Sequence, residues 1–347
     1  MEAVSRIGPP TLDEVARAAG VSRATASRVF SGHPQVSMGA RQAVERAAAD
    51  LGYVPNRAAR SLAAGRSESV GVLVPEPTSA LFGDPVLPRL LAAIGRELSE
   101  NGLQMVLFAP QSVADLSRLE SYLVGGHVDA VLLLALHESD ALPARLHSRG
   151  IPMVFGGRPR AGVDVSFVDV DNQAGGRYAT EHLVLRGRRR IAHIAGPQSG
   201  HQARQRLQGF REAMWNAGMR SDLVDVGAFD RDSGELAMAR LLAIDPDIDG
   251  VFATSDAVAA GAMWALQVLG RRVPEDVAVI GFDDSPIASA TQPPMSSVRP
   301  MVEDMGREMA RLVLSLHAVR GQEPRRMILD PELVLRESTM GSWRRSL

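Results

Sequence analysis

The 347-residue sequence contains no cysteine, and none of its 38 basic residues is lysine. The first absence excludes disulfide frameworks, thiol nucleophiles and cysteine-ligated zinc. The second leaves nothing to serve a phosphate-binding loop, and no G-x-x-x-x-G-K-[ST] string occurs. No run of about 18 apolar residues is present, so no membrane-spanning helix is expected. The opening MEAVSRIGPPTLDE has one arginine and no apolar stretch of secretory length, which predicts a cytoplasmic protein without a leader. There is no G-x-S-x-G elbow, and the eight histidines never fall into H-x-x-x-H or H-E-x-x-H spacing. Asp169 and Asp171 lie close in sequence, but alternation along a strand separates their carboxylates. No catalytic residue, metal or cofactor is therefore expected, and the chain does not read as an enzyme.

What is present is ordinary for a globular protein, with 45% hydrophobic and 22% charged residues and length for two or three domains. The net charge of −2 conceals an asymmetry. The first 66 residues hold nine arginines against five carboxylates, so the remainder carries an excess of six carboxylates. A basic head on an acidic body suits a polyanion partner for the head alone.

The head has the punctuation of a helix-turn-helix. Thr11-Leu12-Asp13-Glu14 has the form of a capping box, and Val15, Ala18 and Ala19 keep helical spacing until Gly20. Ser22 is placed to cap a second helix, Arg23 to Phe30, and Ala40 to Leu51 reads as a third. A helix pair joined through a glycine turn lays its second helix in a major groove, where Arg23, Ala24 and Arg28 would approach base edges. Thr11, Ser22, Thr25, Ser27, Ser37 and Tyr53 supply hydroxyls, and Asn56 an amide, for phosphates. The segment Pro55 to Ala64, with Asn56 and Arg57 assigned to DNA, is too short for a stable free helix. Leu62 is its one large apolar side chain, suited to wedge into a minor-groove step once the segment docks.

These residues carry a resemblance. TLDEVARAAGVSRATASRVFSG and GYVPNRAARSLAAGRS are similar, almost position by position, to the head and hinge of the lac repressor/gal repressor (LacI/GalR) family of bacterial transcription regulators. The resemblance implies a homodimer on a pseudo-palindromic operator in double-stranded DNA, with paired hinge helices inserting Leu62 from each subunit.

Beyond residue 69, short apolar runs alternate with helical stretches. Val70–Val74, Met105–Phe108, Val128–Leu134 and Ile151–Phe155 read as buried parallel strands, followed by a second set at Ile191–Ala195, Leu223–Val226, Gly250–Ala253 and Val277–Phe282. The predicted fold is α/β: an all-α helix-turn-helix head and a body of two doubly wound parallel sheets. The predicted division is 1–54 for the head, 55–68 for the hinge and 69–347 for the body. Lobe one spans about 69–165 and 296–325, and lobe two about 166–292 and 328–342. Val163–Asn172, Gln292–Arg299 and the region near Gln322–Leu329 are the expected crossovers.

The body resembles the periplasmic sugar-binding-protein fold carried by the same family, through VDVDN (168–172), HIAGP (193–197), RLQGF (206–210) and VAVIGFDD (277–284). Ligands of such sheets bind at the carboxyl ends of strands. Asp283 follows the strand ending at Phe282, so its carboxylate is expected to take sugar hydroxyls, and Arg206 matches the family's ligand-binding arginine. Ser255 either touches the ligand or caps the next helix, while Asp256 is read as a cap. Phe82 and Phe229 are candidates for stacking on a sugar face, and Arg158 for closing the pocket edge. The effector is expected to be a sugar or sugar derivative. A solute-binding protein for transport is the competing reading, and the basic head argues against it.

Overall fold

The computed structural model describes residues 10–31, 33, 35–54, 67–74, 85–134, 142–159, 164–318 and 323–340. Asn56, Arg57, Leu62 and Phe82 lie outside them. The chain falls into two compact units: Met1–Glu68 with Gly126–Val128, and Ser69–Gly125 with Asp129–Leu347.

In the first unit three helices share one small core. Thr11 caps α1 (Leu12–Ala18): Glu14 N–H donates to Thr11 Oγ1, and Thr11 N–H donates to the Glu14 carboxylate at 2.8 Å. Gly20, at φ 66°, turns the chain in a conformation other residues resist. Ser22 then caps α2 (Arg23–Phe30), and Ser37 caps α3 (Met38–Leu51), which starts two residues before the expected Ala40. Val15, Ala16, Ala26, Val29, Val44, Ala47 and Ala48 are buried together.

The second unit holds two six-stranded sheets in which every pairing but one is parallel. The first runs β11-β5-β4-β3-β1-β2, from β1 (Ser69–Leu73), β2 (Gln104–Phe108), β3 (Ala130–Leu134), β4 (Met153–Gly156), β5 (Ser166–Val170) and β11 (Arg326–Leu329). The second runs β12-β10-β9-β8-β6-β7, from β6 (Ile191–Ala195), β7 (Val224–Val226), β8 (Gly250–Ala253), β9 (Ala278–Phe282), β10 (Ser296–Arg299) and β12 (Glu332–Val334). Only β12 on β10 is antiparallel.

Helices α4 (Leu87–Glu100), α5 (Val113–Val124) and α6 (Leu142–Ser148) belong to the first lobe. The second has α7 (Asn172–Leu185), α8 (His201–Asn216), α9 (Arg231–Ile244), α10 (Asp256–Val268) and α11 (Pro286–Ala290). Helix α12 (Val302–Ala318) returns to pack on α4, and α13 (Glu337–Met340) lies against β9 and β10.

All three expected crossovers contain a strand, which corrects the lobe limits. Residues 166–170, expected in lobe two, pair with β4 in lobe one. Residues 296–299, expected in lobe one, pair with β9 in lobe two. Residues 326–329 extend the first sheet beside β5.

Candidate nucleic-acid interface and effector pocket

Helix α2 divides cleanly by face. Ala26 and Val29 point into the head core, while Arg23, Ala24, Ser27 and Arg28 are exposed on the other side and Thr25 is half-buried. Residues at i, i+1, i+4 and i+5 form one stripe on a helix, so the four candidate base and backbone contacts share a surface. Arg23 meets Asp13 at 3.4 Å, with both side chains more than half exposed. A pair so solvated contributes little and leaves the guanidinium available to a polyanion.

Three of the hydroxyls assigned to phosphate act as helix caps. Thr11, Ser22 and Ser37 each accept a backbone N–H, from Glu14, Thr25 and Ala40, and Ser22 also shares a hydrogen bond with the Thr25 hydroxyl at 2.9 Å. Tyr53 sets its ring 5.5 Å from that of Phe30, against the head core.

In the body, the best-defined cluster lies at the carboxyl ends of β6, β8 and β9. Arg206, on α8, is buried. Its Nε donates to Asn172 Oδ1 at 2.9 Å and its Nη1 to the Thr254 carbonyl at 2.6 Å, while Asp283 Oδ1 stands 3.8 Å from Nη1. The guanidinium carbon lies 3.5 Å from the centre of the Phe282 ring, a cation–π stack that fixes its plane. The expected pair of Arg206 and Asp283 is thus assembled, a fixed donor fork beside a carboxylate. Such a combination binds neighbouring hydroxyls of a polyol.

Asp283 and Asp284 both have positive φ, 108° and 44°, at a typical cost of about 1–3 kcal/mol each. The surroundings hold the turn in place. Asp283 N–H donates to Val298 O at 2.8 Å, Asp284 N–H to Ser297 Oγ at 3.0 Å, and Ser285 N–H to Asp256 Oδ2 at 2.7 Å. The Asp284 carboxylate accepts from Arg299 at 2.8 Å and Arg336 at 2.6 Å. Burial pulls that carboxyl upward, and the two guanidiniums outweigh it, holding it below the usual carboxylate range.

Asp256 is not the helix cap expected of it. Ser255 caps α10, its Oγ accepting Val258 N–H at 3.3 Å. Asp256, at the first helical position, reaches back under the turn, where Ser297 Oγ donates to it at 2.6 Å. Burial pushes its carboxyl up to about 6, against the hydrogen bond from Ser297. Phe229 is half exposed and lies over the end of β6, where a Cβ on Gly196 would meet its ring at 2.7 Å. Arg158 is exposed in the loop after β4.

Three contributors escaped the sequence reading. Asn172 orients Arg206, and the Thr254 carbonyl takes its second hydrogen bond. Asp169, on the first-lobe strand β5, is buried and pushed upward by that burial; the Val170 amide and the charges of His201 and Arg158 oppose the shift. Asn172 and Asp169 lie within VDVDN, so the motif was visible while their roles were not. The first lobe is closely packed at the ends of β3 and β4: a Cβ on Gly156 would fall 2.6 Å from Leu134, and Gly157, at φ 101°, comes near Gln202.

The chain matches the family model "Bacterial regulatory proteins, lacI family" over residues 11–56 and "Periplasmic binding protein-like domain" over residues 180–339. It is 50% identical over 334 residues to the HTH-type transcriptional regulator CelR of Thermobifida fusca, covering 95% of this chain and 98% of the relative. With the regulator GalR of Escherichia coli it shares 32% identity over 333 residues, 94% and 95% of the two chains. Among solved structures, a CelR–cellobiose complex superposes with a TM-score of 0.75 at 49% identity, over 95% of this chain and 99% of that one. A lac repressor dimer bound to operator and the anti-inducer ONPF gives 0.84 at 27% identity, over 96% and 99%. These relatives are transcriptional regulators rather than enzymes. Among the described residues no helix is long and apolar enough to cross a membrane.

Proposed function

The chain belongs to the lacI family of bacterial regulatory proteins, and from that premise we propose that it is a homodimeric repressor whose hold on a pseudo-palindromic operator is set by a sugar bound between its two lobes. It works where the DNA is, in the cytoplasm. Each subunit presents the α2 stripe of Arg23, Ala24, Ser27 and Arg28 to a major groove, with Thr25 at its edge. Thr11, Ser22, Ser37 and Tyr53 line the phosphates. The hinge contributes Asn56, Arg57 and the wedge Leu62. Sugar binding changes the angle between the lobes, and that angle sets the spacing of the paired hinges.

The observation that carries the effector half is the buried Arg206 beside the partly buried Asp283 at the strand ends. Two neighbouring sugar hydroxyls can accept from a fixed guanidinium and donate to a carboxylate at the same time. Phe229 offers the aromatic face that a pyranose ring stacks on. Ser255, Phe82 and Arg158 complete the proposed lining. The relative's cellobiose is the sugar to try first.

The test begins with fragments of the host genome selected on purified full-length protein. The selected operator is then titrated by fluorescence anisotropy with cellobiose, maltose and glucose. A disaccharide should shift operator affinity by about five- to 150-fold, the usual range of allosteric coupling. Selection of no fragment above background would sink the operator reading. An operator indifferent to every sugar would sink the effector reading.

A further inference from the structure

Arg89 stands on the third residue of α4, in the first lobe, yet its guanidinium reaches the turn that presents Asp283 in the second. Its Nε and Nη2 grip both carboxylate oxygens of Glu303, at 2.8 and 3.1 Å, where α12 begins. Its Nη1 donates to the carbonyls of Asp283 and Asp284 at 3.2 and 3.4 Å. Glu303 holds the guanidinium charged, and Arg89 in turn holds the Glu303 carboxyl below its usual range. One fork therefore directs two hydrogen bonds to a first-lobe anchor and two to a second-lobe peptide pair.

That peptide pair is the positive-φ turn itself. Its Asp283 side chain faces Arg206, and its Asp284 side chain is clamped by Arg299 and Arg336. Carbonyl direction in such a turn follows the φ and ψ of the same residues that aim the two carboxylates. Rotation of the turn to meet a ligand therefore moves the acceptors of Arg89.

We propose that Arg89 is the positioning residue that transmits the state of the Asp283 turn to α4 and α12 in the first lobe. This rests on the reading that Asp283 lines the effector pocket, and it assigns the coupling to a side chain that holds the backbone of the turn. Arginine is required because only a planar fork spans a carboxylate and two carbonyls at once.

The experiment is hydrogen–deuterium exchange on the full-length protein, as wild type, Arg89→Gln and Glu303→Gln, each with and without cellobiose. Without sugar, both variants should exchange the amides of residues 283–285 and 87–91 at least tenfold faster than wild type, while β8 is unchanged. With cellobiose, residues 283–285 should gain protection in all three proteins and residues 87–91 in wild type alone. Equal sugar-free exchange at residues 283–285 in wild type and both variants would overturn the clamp. Sugar-induced protection of 87–91 that persists in Arg89→Gln would overturn the transmission. A wild type that ignores cellobiose removes the sugar assignment only, and the sugar-free comparison still decides for or against the clamp.

Discussion

At the scale of single residues, side chains of like chemistry are put to different uses by what surrounds them. Arg23 and Arg206 are both guanidiniums, but the first is solvated and the second buried, stacked and triply engaged. Arg23→Ala should therefore cost no fold stability. In competition against single-base operator variants it should relax preference at one position per half-site, by about 1–3 kcal/mol; unchanged selectivity would remove Arg23 from the base-reading set. His193 shows burial acting against a charge. It is fully buried, stacked on Phe252 and Phe210, and hydrogen-bonded through Nδ1 to Phe252 O, and its pKa is lowered to about 4, chiefly by burial. An unfolded histidine takes up its proton near 6.5, so between that value and about 4 the unfolded chain binds more protons. Stability then falls as pH falls, by about 3 kcal/mol at most. Asp256 has the opposite sign: held near 6 against 3.8 unfolded, it favours the folded chain as pH drops through that window. His193→Phe keeps the stack and removes one titration, so its melting temperature should decline less than the wild type's between pH 6.5 and 4.5. Equal declines would assign acid sensitivity elsewhere.

At the scale of elements, the legible parts of the sequence were those whose local chemistry and final environment agree. The head reads directly at its first two helices because Thr11 and Ser22 cap them at the spacing that capping requires, whereas the Ser37 cap went unread and α3 starts two residues earlier than expected. The apolar strands read well for the same reason. By contrast β5, β10 and β11 look like connectors, because SFVDV, SSVR and RMIL mix polar residues into short runs. Their polar groups are satisfied by distant or local partners that spacing does not reveal. Asp169 accepts its neighbour's amide, Ser297 bonds Asp256, and Ser296 shares a hydrogen bond with Thr339, 43 residues away. The proposed pocket divides similarly. Asp283 and Arg206 were visible from strand ends and family motifs, whereas the backbone of the Asp283–Asp284 turn and the reach of Arg89 depend on tertiary placement. Helix packing supplies a sharp test. A Cβ on Gly209 of α8 would fall 2.0 Å from the Gln173 carbonyl on α7. Backbone cannot step aside as a flexible side chain can, so Gly209→Ala should destabilise the second lobe by about 1–3 kcal/mol or more in urea unfolding. A midpoint equal to wild type would mean that the two helices have slack.

At the scale of the molecule, the proposed mechanism joins a charged, base-reading head to a body that senses sugar, and both demand a second copy. One α2 stripe reads only a few base pairs, too few to single out a site in a genome. Two copies related by a two-fold axis read two half-sites and multiply the discrimination, provided the half-sites keep the spacing and rotation that the paired heads require. Phosphate neutralisation by the head arginines is indifferent to that geometry and persists on any duplex. Inserting about five base pairs at the operator centre turns one half-site by roughly half a helical turn, while every phosphate and base remains available. Affinity at fixed salt should then fall toward the non-specific level, by about a thousandfold or more. The salt dependence that remains should be that of non-specific binding. A fragment bound as tightly after the insertion would mean that a single head suffices, and would end the two-fold reading.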